Sequence, residues 1–338
     1  MNFSKKYIYF NWLTLIFIYL VVVAGSFVRI TGSGMGCPDW PKCFGQWVPP
    51  TNEAELPDNY KKIYSEGRVK KVEKFSNYLS AIGFKRKAEE LRKDPSLIKE
   101  EDFNSAKTWI EYINRLFGFL AGNLMLLSFI WLIWKYRKKK LIALAGFNIV
   151  LMGIQAWFGS IVVATNLVPW TITVHMLLAL VIIGIQIYFI KEISPWKEKH
   201  YALPSWMNRL IWACFAITIY QMFLGTQVRE SIDELTKQGI SRNDWTEELG
   251  FSFYLHRSFS WIVLIFLTFI AWRNEKLTKN KIIRFIFGFL VIELLSGVLL
   301  AHYDMPGLIQ TSHLIFATII FGLLTMLIFR SKMQPKSL

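Results

Sequence analysis

Residues 252–272 read SFYLHRSFSWIVLIFLTFIAW. The stretch has the roughly 20 mostly apolar residues that a helix needs to cross a bilayer, and the pair His256-Arg257 lies near its start. Histidines inside a bilayer are rare and usually functional. The segment therefore predicts a membrane-spanning helix that carries part of a functional site.

Seven further apolar segments of similar length lie along the chain. The 338 residues are 53% hydrophobic and include 14 Trp and 27 Phe, which is too apolar for an ordinary soluble domain. The first segment is not predicted to be a cleaved signal peptide, because its apolar run is long and no small-residue cleavage site follows it. The sequence predicts an all-α polytopic membrane protein with eight transmembrane helices, at 9–28, 110–134, 141–164, 172–190, 209–228, 252–272, 282–301 and 309–329.

Basic residues cluster on alternate connections between these segments. The positive-inside rule assigns those connections and both termini to the cytoplasm, and the net charge of +15 therefore does not indicate nucleic-acid binding. The basic clusters are Lys5-Lys6, Lys135 to Lys140, Lys191 to Lys199, Arg273 to Lys281 and Arg330 to Lys336. The connections predicted to face outward are 30–109, 165–171, 229–251 and 302–308.

The chain contains an internal repeat. A shift of 200 residues places Gly25-Ser-Phe-Val-Arg29 on Gly225-Thr-Gln-Val-Arg229, and a shift of 142 places Tyr112-Ile-Asn-Arg115 on Tyr254-Leu-His-Arg257. A shift of 138 aligns Gln155 with Glu293, Gly159 with Gly297 and His175 with His313. The repeat predicts two pseudo-repeated four-helix bundles in the same orientation, at 1–195 and 196–338, with an outer-loop insert at 51–107.

Four equivalent positions fall just inside the outer ends of predicted helices. They are Asn114, His175, His256 and His313, so each bundle has one candidate site near the outer face. His256 and His313 can ligate one haem iron from two helices. The alternative is that they make two unrelated polar contacts inside the bundle.

Four arginines lie at outer helix ends: Arg29, Arg115, Arg229 and Arg257. Arginine binds carboxylates with two parallel hydrogen bonds, so these residues suit haem propionates. The alternative is that they anchor helix ends at the lipid headgroups. Glu293, deeper in its helix, either assists proton movement or hydrogen-bonds between helices. Gly159 and Gly297 are predicted to permit close helix packing.

The first outer loop carries Cys37 and Cys43. An oxidising outer compartment favours a disulfide between them, and the alternatives are two free thiols or part of a metal site. The insert at 51–107 has apolar and charged residues at near-helical spacing around 60–93. It is predicted to form short helices that cover the outer face.

The stretch GSFVRITGSGMGCPDWPKCFGQWVPP at 25–50 strongly resembles the haem A synthase family. The stretch Glu111-Tyr-Ile-Asn-Arg115, the histidines at helix starts and the eight-helix pseudo-repeat resemble that family too. The resemblance covers nearly the whole chain except most of 51–107.

The resemblance implies an enzyme of the bacterial cytoplasmic (inner) membrane that makes haem A for terminal oxidases. Such an enzyme oxidises the C8 methyl of haem O to a formyl group through a hydroxymethyl intermediate. It implies haem b on His256 and His313 in the C-terminal bundle, with Arg229 and Arg257 nearby. Glu111 matches the family's acidic catalytic residue, and Cys37 and Cys43 match its cysteine pair.

The chain departs from the family pattern at one site residue. The family's Glu-x-x-His-Arg has Asn114 in place of its histidine here, and an amide oxygen is a poor haem-iron ligand compared with imidazole. The substrate site of the N-terminal bundle is then His175, Asn114, Arg29 and Arg115. Either His175 alone holds the substrate iron, or Asn114 hydrogen-bonds a group in its sixth position.

Several partners are consistent with the resemblance: membrane lipid, haem O, the haem O-producing synthase, a quinone, an oxidase assembly partner and a second copy of this chain. One competing hypothesis is a bis-histidine membrane cytochrome b that relays electrons without modifying haem. Another is a transporter or assembly scaffold, which needs no haem on His256.

Overall fold

A computed structural model describes residues 3–39, 41–97, 102–164, 169–195 and 201–333. This part of the chain is almost entirely helical. Its α-helices are α1 Lys5–Ile30, α2 Tyr60–Ala81, α3 Lys85–Lys93, α4 Ser105–Trp131, α5 Lys139–Ala164, α6 Pro169–Ile193, α7 Ser205–Lys237, α8 Trp245–Glu248, α9 Phe251–Leu277, α10 Lys281–His302 and α11 Gly307–Arg330. Two short strands, β1 Tyr201–Leu203 and β2 Ser331–Met333, pair in parallel.

Within the described ranges, eight helices are long and apolar enough to cross a membrane: α1, α4, α5, α6, α7, α9, α10 and α11. A π-helical turn at Leu132–Tyr136 extends α4. The predicted all-α fold with eight spans is therefore confirmed, and the chain is a multi-pass membrane protein. Parts of the predicted connections, at 165–168, 196–200 and 334–338, lie outside the described residues.

Specific residues start and end these helices. The side chain of Asn104 accepts a hydrogen bond from the backbone N–H of Lys107 (3.0 Å) at the start of α4, and Asn280 does the same for Ile282 (2.9 Å) at the start of α10. Such caps satisfy amides that have no partner within the helix. Arg137 and Lys279, related by the shift of 142, both adopt left-handed backbone after their helices (φ 52° and 48°).

The described chain forms two compact units. One comprises Met1–Ile16, Leu124–Val150 and Met176–Leu338, and the other comprises Phe17–Asn123 and Leu151–His175. The division into bundles at 1–195 and 196–338 stays a prediction.

The insert forms the predicted short helices. Val72, Phe75 and Leu79 of α2 pack with α3 and with Ile161 of α5. At the start of α2, Tyr60 packs with Phe44 in the cluster around the cysteines. The insert is therefore anchored by apolar contacts at both ends of α2.

Gly36 lies directly against the backbone of α4. A methyl group there would lie 2.7 Å from the carbonyl carbon and oxygen of Lys107 and 2.8 Å from the backbone nitrogen of Thr108. Because these backbone atoms cannot rotate away, we expect Gly36→Ala to lower the free energy of unfolding by about 1–3 kcal/mol. Thermal melting of the detergent-solubilised protein measures the change.

Gly67→Ala is the matched control. Gly67 lies inside α2, where a methyl group meets no atom within 4 Å, and alanine favours a helix over glycine by about 1 kcal/mol. The control should melt at the same or a higher temperature. Equal melting temperatures for Gly36→Ala and the unmodified protein would show that the loop and α4 are not in this contact.

Candidate functional site

The structure brings His256 and His313 together. His256 lies in the second turn of α9 and His313 in the second turn of α11. Their ring centres are 6.3 Å apart, and the ring planes meet at 75°. Two imidazoles on opposite faces of one iron, each with a metal–nitrogen distance of about 2 Å, have ring centres about 6 Å apart. The pair therefore fits axial ligation of one haem iron.

A glycine of the neighbouring helix faces each of these rings. A methyl group at Gly225 of α7 would lie 3.3 Å from Cε1 of His256, and one at Gly297 of α10 would lie 3.4 Å from Cε1 of His313. Contacts this short require a neighbour to move. Because glycine has no side chain, the space next to each of these helices is free for an imidazole ring.

The first half of the chain repeats this arrangement. A methyl group at Gly159 of α5 would lie 3.2 Å from Cε1 of His175, and one at Gly25 of α1 would lie 3.7 Å from Oδ1 of Asn114. The sequence predicted that Gly159 permits helix packing, and the structure shows that the packed group is the histidine ring. The repeat could have predicted these glycine contacts, because it aligns Gly25 with Gly225 and Gly159 with Gly297.

Side chains of α10 orient His313. Its Nδ1 lies 2.8 Å from Oγ of Ser296 and 3.3 Å from Oε1 of Glu293. Because Nδ1 makes these contacts, Nε2 is the ring nitrogen that could bind iron. In metal-binding histidines, the nitrogen that does not bind the metal is typically hydrogen-bonded in this way. Of the two roles weighed for Glu293, this contact favours the hydrogen bond between helices. Sequence reasoning missed Ser296, which has no charge or motif to mark it.

Glutamines hold the backbone of the other two histidines. Nε2 of Gln155 on α5 donates to the carbonyl oxygen of His175 (3.0 Å), and Nε2 of Gln221 on α7 donates to that of His256 (3.0 Å). Sequence reasoning did not identify Gln221. In both cases a polar side chain from a neighbouring helix fixes the start of the helix that carries the histidine.

Asn114 and His175 have partly buried side chains and remain available for a ligand. Oδ1 of Asn114 and Nδ1 of His175 are buried atoms without a hydrogen-bond partner among the described residues. The ring of Phe158 stacks near that of His175, with 6.4 Å between ring centres. Nδ1 of His256 is unpaired in the same way, so these atoms do not distinguish the two candidate sites, and binding of a substrate at Asn114 and His175 stays a prediction.

Glu111 is enclosed in a polar cluster at the second turn of α4. Its carboxylate is 1% exposed, accepts the backbone N–H of Cys37 (2.8 Å) and pairs with Arg115. The guanidinium of Arg115 also donates to the carbonyl oxygens of Cys37 and Asp39. Glu111 lies beyond the first turn of α4, so stabilisation of the helix N-terminus does not explain it.

Cys37 and Cys43 form a disulfide, which confirms the predicted pairing over free thiols or a metal site. The carboxylate of Asp39 accepts the backbone N–H groups of Phe44 (2.6 Å) and Gly45 (2.9 Å). Lys71 of α2 donates to the carbonyl oxygen of Pro38 (3.3 Å). Burial lowers the pKa of Lys71, and the nearby charge of Arg115 lowers it further.

The remaining arginines differ in their surroundings. Arg229 of α7 bonds to Gln310 and pairs with Asp233 (3.0 Å). Arg257 of α9 is exposed, and Arg29 is partly buried in the last turn of α1. The structure therefore commits Arg115 and Arg229 to protein partners, while binding of haem propionates by any of the four stays a prediction.

Known proteins share this chain's sequence pattern. A family model described as cytochrome oxidase assembly protein matches residues 8–325. Three relatives bear the name haem A synthase. The protein of Shewanella oneidensis is 28% identical over 171 residues, which are 49% of this chain and 40% of that protein. The protein of Bradyrhizobium sp. (strain ORS 278) is 22% identical, with 70% and 59% covered.

The protein of Wolbachia sp. subsp. Brugia malayi is 25% identical, and the match covers 94% of this chain and 95% of that protein. The chain thus spans less than two thirds of the first two relatives and nearly all of the third. The match of the family model covers both candidate sites and all four repeated positions. This chain belongs to the family of cytochrome oxidase assembly proteins.

Proposed function

We propose that this protein is a haem A synthase, an oxidoreductase that converts the C8 methyl of haem O to a formyl group through a hydroxymethyl intermediate. The observation that carries the proposal is the pair His256 and His313, with ring centres 6.3 Å apart. The name shared by relatives from several bacteria supports it. The product serves terminal oxidases, which agrees with the description of the matching family.

The second bundle would hold haem b between His256 and His313. When bound there, haem b supplies one-electron transfer to and from the substrate site. Ser296 and Glu293 orient His313 through its Nδ1. Arg257 is exposed near the helix end, where it suits a propionate, and Arg229 lies at the matching end of α7.

The first bundle would hold the substrate haem O. His175 is the candidate iron ligand, since Gly159 gives its ring room. Asn114 offers a buried amide oxygen that accepts a hydrogen bond from a group in the sixth position more readily than it binds iron. Arg29, in the last turn of α1, is a proposed propionate partner in this bundle, and Arg115 also binds the cysteine loop.

Glu111 is the proposed catalytic residue. As oxygen enters the methyl carbon, protons are taken up or released, and a positioned carboxylate can exchange them. Arg115 and the N–H of Cys37 fix the orientation of the Glu111 carboxylate. The cluster therefore couples the disulfide loop to the proposed site of chemistry.

The proposal includes the membrane location of the enzyme and its partners. The distribution of basic residues supports cytoplasmic termini and haem sites near the outer face of the bacterial inner membrane. The partners proposed are the haem O-producing synthase, a quinone as electron acceptor and an oxidase assembly partner. A second copy of this chain is a further proposed partner in the lipid bilayer.

Variants of the histidines test the haem b site. We expect His256→Ala and His313→Ala each to lose the low-spin haem absorbance of the purified protein, because the proposed site would need both imidazoles to hold the haem. His175→Ala should keep that absorbance, because His175 belongs to the substrate site. Absorbance and electron paramagnetic resonance spectra of the three variants measure this.

Glycine variants provide a second readout in proteins that keep every histidine. Gly225→Ala and Gly297→Ala should shift the haem b signals, because the added methyl group lies 3.3 or 3.4 Å from a ligand ring. Gly159→Ala should leave them unchanged. Low-spin haem that persists in both His256→Ala and His313→Ala would refute ligation by this pair.

A variant of Glu111 separates the enzyme from an electron relay. We expect Glu111→Gln to lower haem A formation by about 100-fold or more, which is the usual contribution of a general base, while haem b content stays unchanged. The measurement is product formed per bound haem b in cells that make haem O. Glu247→Gln on α8, whose side chain is exposed, is the control.

A purely structural role of Glu111 gives a different result. Loss of the contacts to Arg115 and Cys37 would then lower haem b content or disulfide formation together with activity. Unchanged product formation in Glu111→Gln would remove the residue from the mechanism and favour the electron-relay hypothesis.

A further inference from the structure

Five buried polar side chains form a layer within the apolar helices of the first half of the chain. They are Tyr7 and Asn11 of α1, Ser128 of α4, Asn148 of α5 and Gln186 of α6, and none is more than 5% exposed. Polar groups at membrane depth must be satisfied inside the protein, because the lipid offers no hydrogen bonds. We call this set the polar layer.

The hydrogen bonds of the polar layer have a fixed direction. Nδ2 of Asn11 donates to the carbonyl oxygen of Tyr7 (2.9 Å), and a carbonyl can only accept, so Oδ1 of Asn11 faces the other way. It accepts from Oγ of Ser128 (2.8 Å) and Nε2 of Gln186 (3.3 Å). Gln186 then presents Oε1 to Nδ2 of Asn148 (3.4 Å).

This chain of bonds ends in an acceptor. Oδ1 of Asn148 is buried and has no hydrogen-bond partner among the described residues. If the amide of Asn148 were turned around, its oxygen would face the oxygen of Gln186, which is also an acceptor. The other hydrogen bonds of the network therefore fix the orientation of Asn148 and leave its Oδ1 without a donor. The group that completes the network must donate a hydrogen bond.

A small cavity lies at this position. Its described lining includes four residues of the polar layer, Asn11, Ser128, Asn148 and Gln186, together with Met125. It admits a water-sized molecule, and it is polar enough to hold one. No carboxylate belongs to the described lining, and a cation at membrane depth is costly without one. These features select a small neutral donor.

Among the described residues, the second half of the chain has no such layer at the equivalent positions. The repeat aligns Tyr7, Asn11, Ser128, Asn148 and Gln186 with apolar counterparts. The counterparts belong to one hydrophobic core and are at most 2% exposed: Met207, Ile211, Ile270, Ile286 and Leu324. The fold therefore does not require polar residues at these positions.

We propose that the first bundle holds a buried water molecule, which donates a hydrogen bond to Oδ1 of Asn148 and completes the polar layer. The second bundle is packed with hydrocarbon at the equivalent positions and has no water site there. The water occupies the cavity that residues of α1, α4, α5 and α6 line.

X-ray footprinting of the full-length protein in detergent tests the water site. A short X-ray pulse converts bound water to hydroxyl radicals, which oxidise an adjacent methionine. Met125 lines the cavity and is 5% exposed, whereas Met207 lies in the apolar core and is 0% exposed. We expect Met125 to be oxidised several-fold faster than Met207, even when a scavenger removes radicals from bulk solvent.

Two variants assign the water to Asn148. Asn148→Ile introduces the residue of the second bundle and should reduce oxidation of Met125 to the rate of Met207. Ile149→Leu changes another cavity-lining residue without removing a polar atom and should keep the fast rate. Equal rates for Met125 and Met207 in the unmodified protein, or fast oxidation that persists in Asn148→Ile, would overturn the proposal.

Discussion

Close approach of helix backbones to three histidine rings is the constraint on which both candidate sites depend. Gly25, Gly159, Gly225 and Gly297 each lie opposite one of the repeated positions. Without a Cβ at those places, the rings of His256 and His313 share the space between helices at the separation that one iron requires. The helices carrying the glycines also supply the polar groups that hold the histidines, from Gln155, Gln221 and Ser296. Helix packing and the proposed ligation therefore depend on the same helix contacts.

Much of this organisation is visible in the sequence, because apolar runs of about 20 residues are unambiguous and polar residues within them are few. The eight spans follow from such runs, the cysteine pairing from an oxidising outer compartment, and the helices of the insert from the near-helical spacing of its apolar residues. The surroundings of Arg115 do not, because its carbonyl partners come from the folded loop around Cys37 and Asp39 rather than from any periodic pattern. Contacts that depend on an irregular loop have no signature in spacing.

The two halves share a helical plan but differ in chemistry. His256 faces His313, whereas the position equivalent to His256 is Asn114. The polar layer around Asn11 and Gln186 has apolar counterparts in the second half. A repeat that served two identical cofactors would not need either difference. The asymmetry instead supports one half that binds a permanent haem and another that receives a changing substrate.

Haem extraction and mass analysis from membranes of cells that make haem O, with and without this protein, test the central claim most directly. Haem A or its hydroxymethyl precursor, present only when the protein is made, is the predicted result and would show that Asn114 is compatible with catalysis. Accumulation of haem b alone, under conditions where a known haem A synthase forms product, would contradict the proposed function and favour an electron relay.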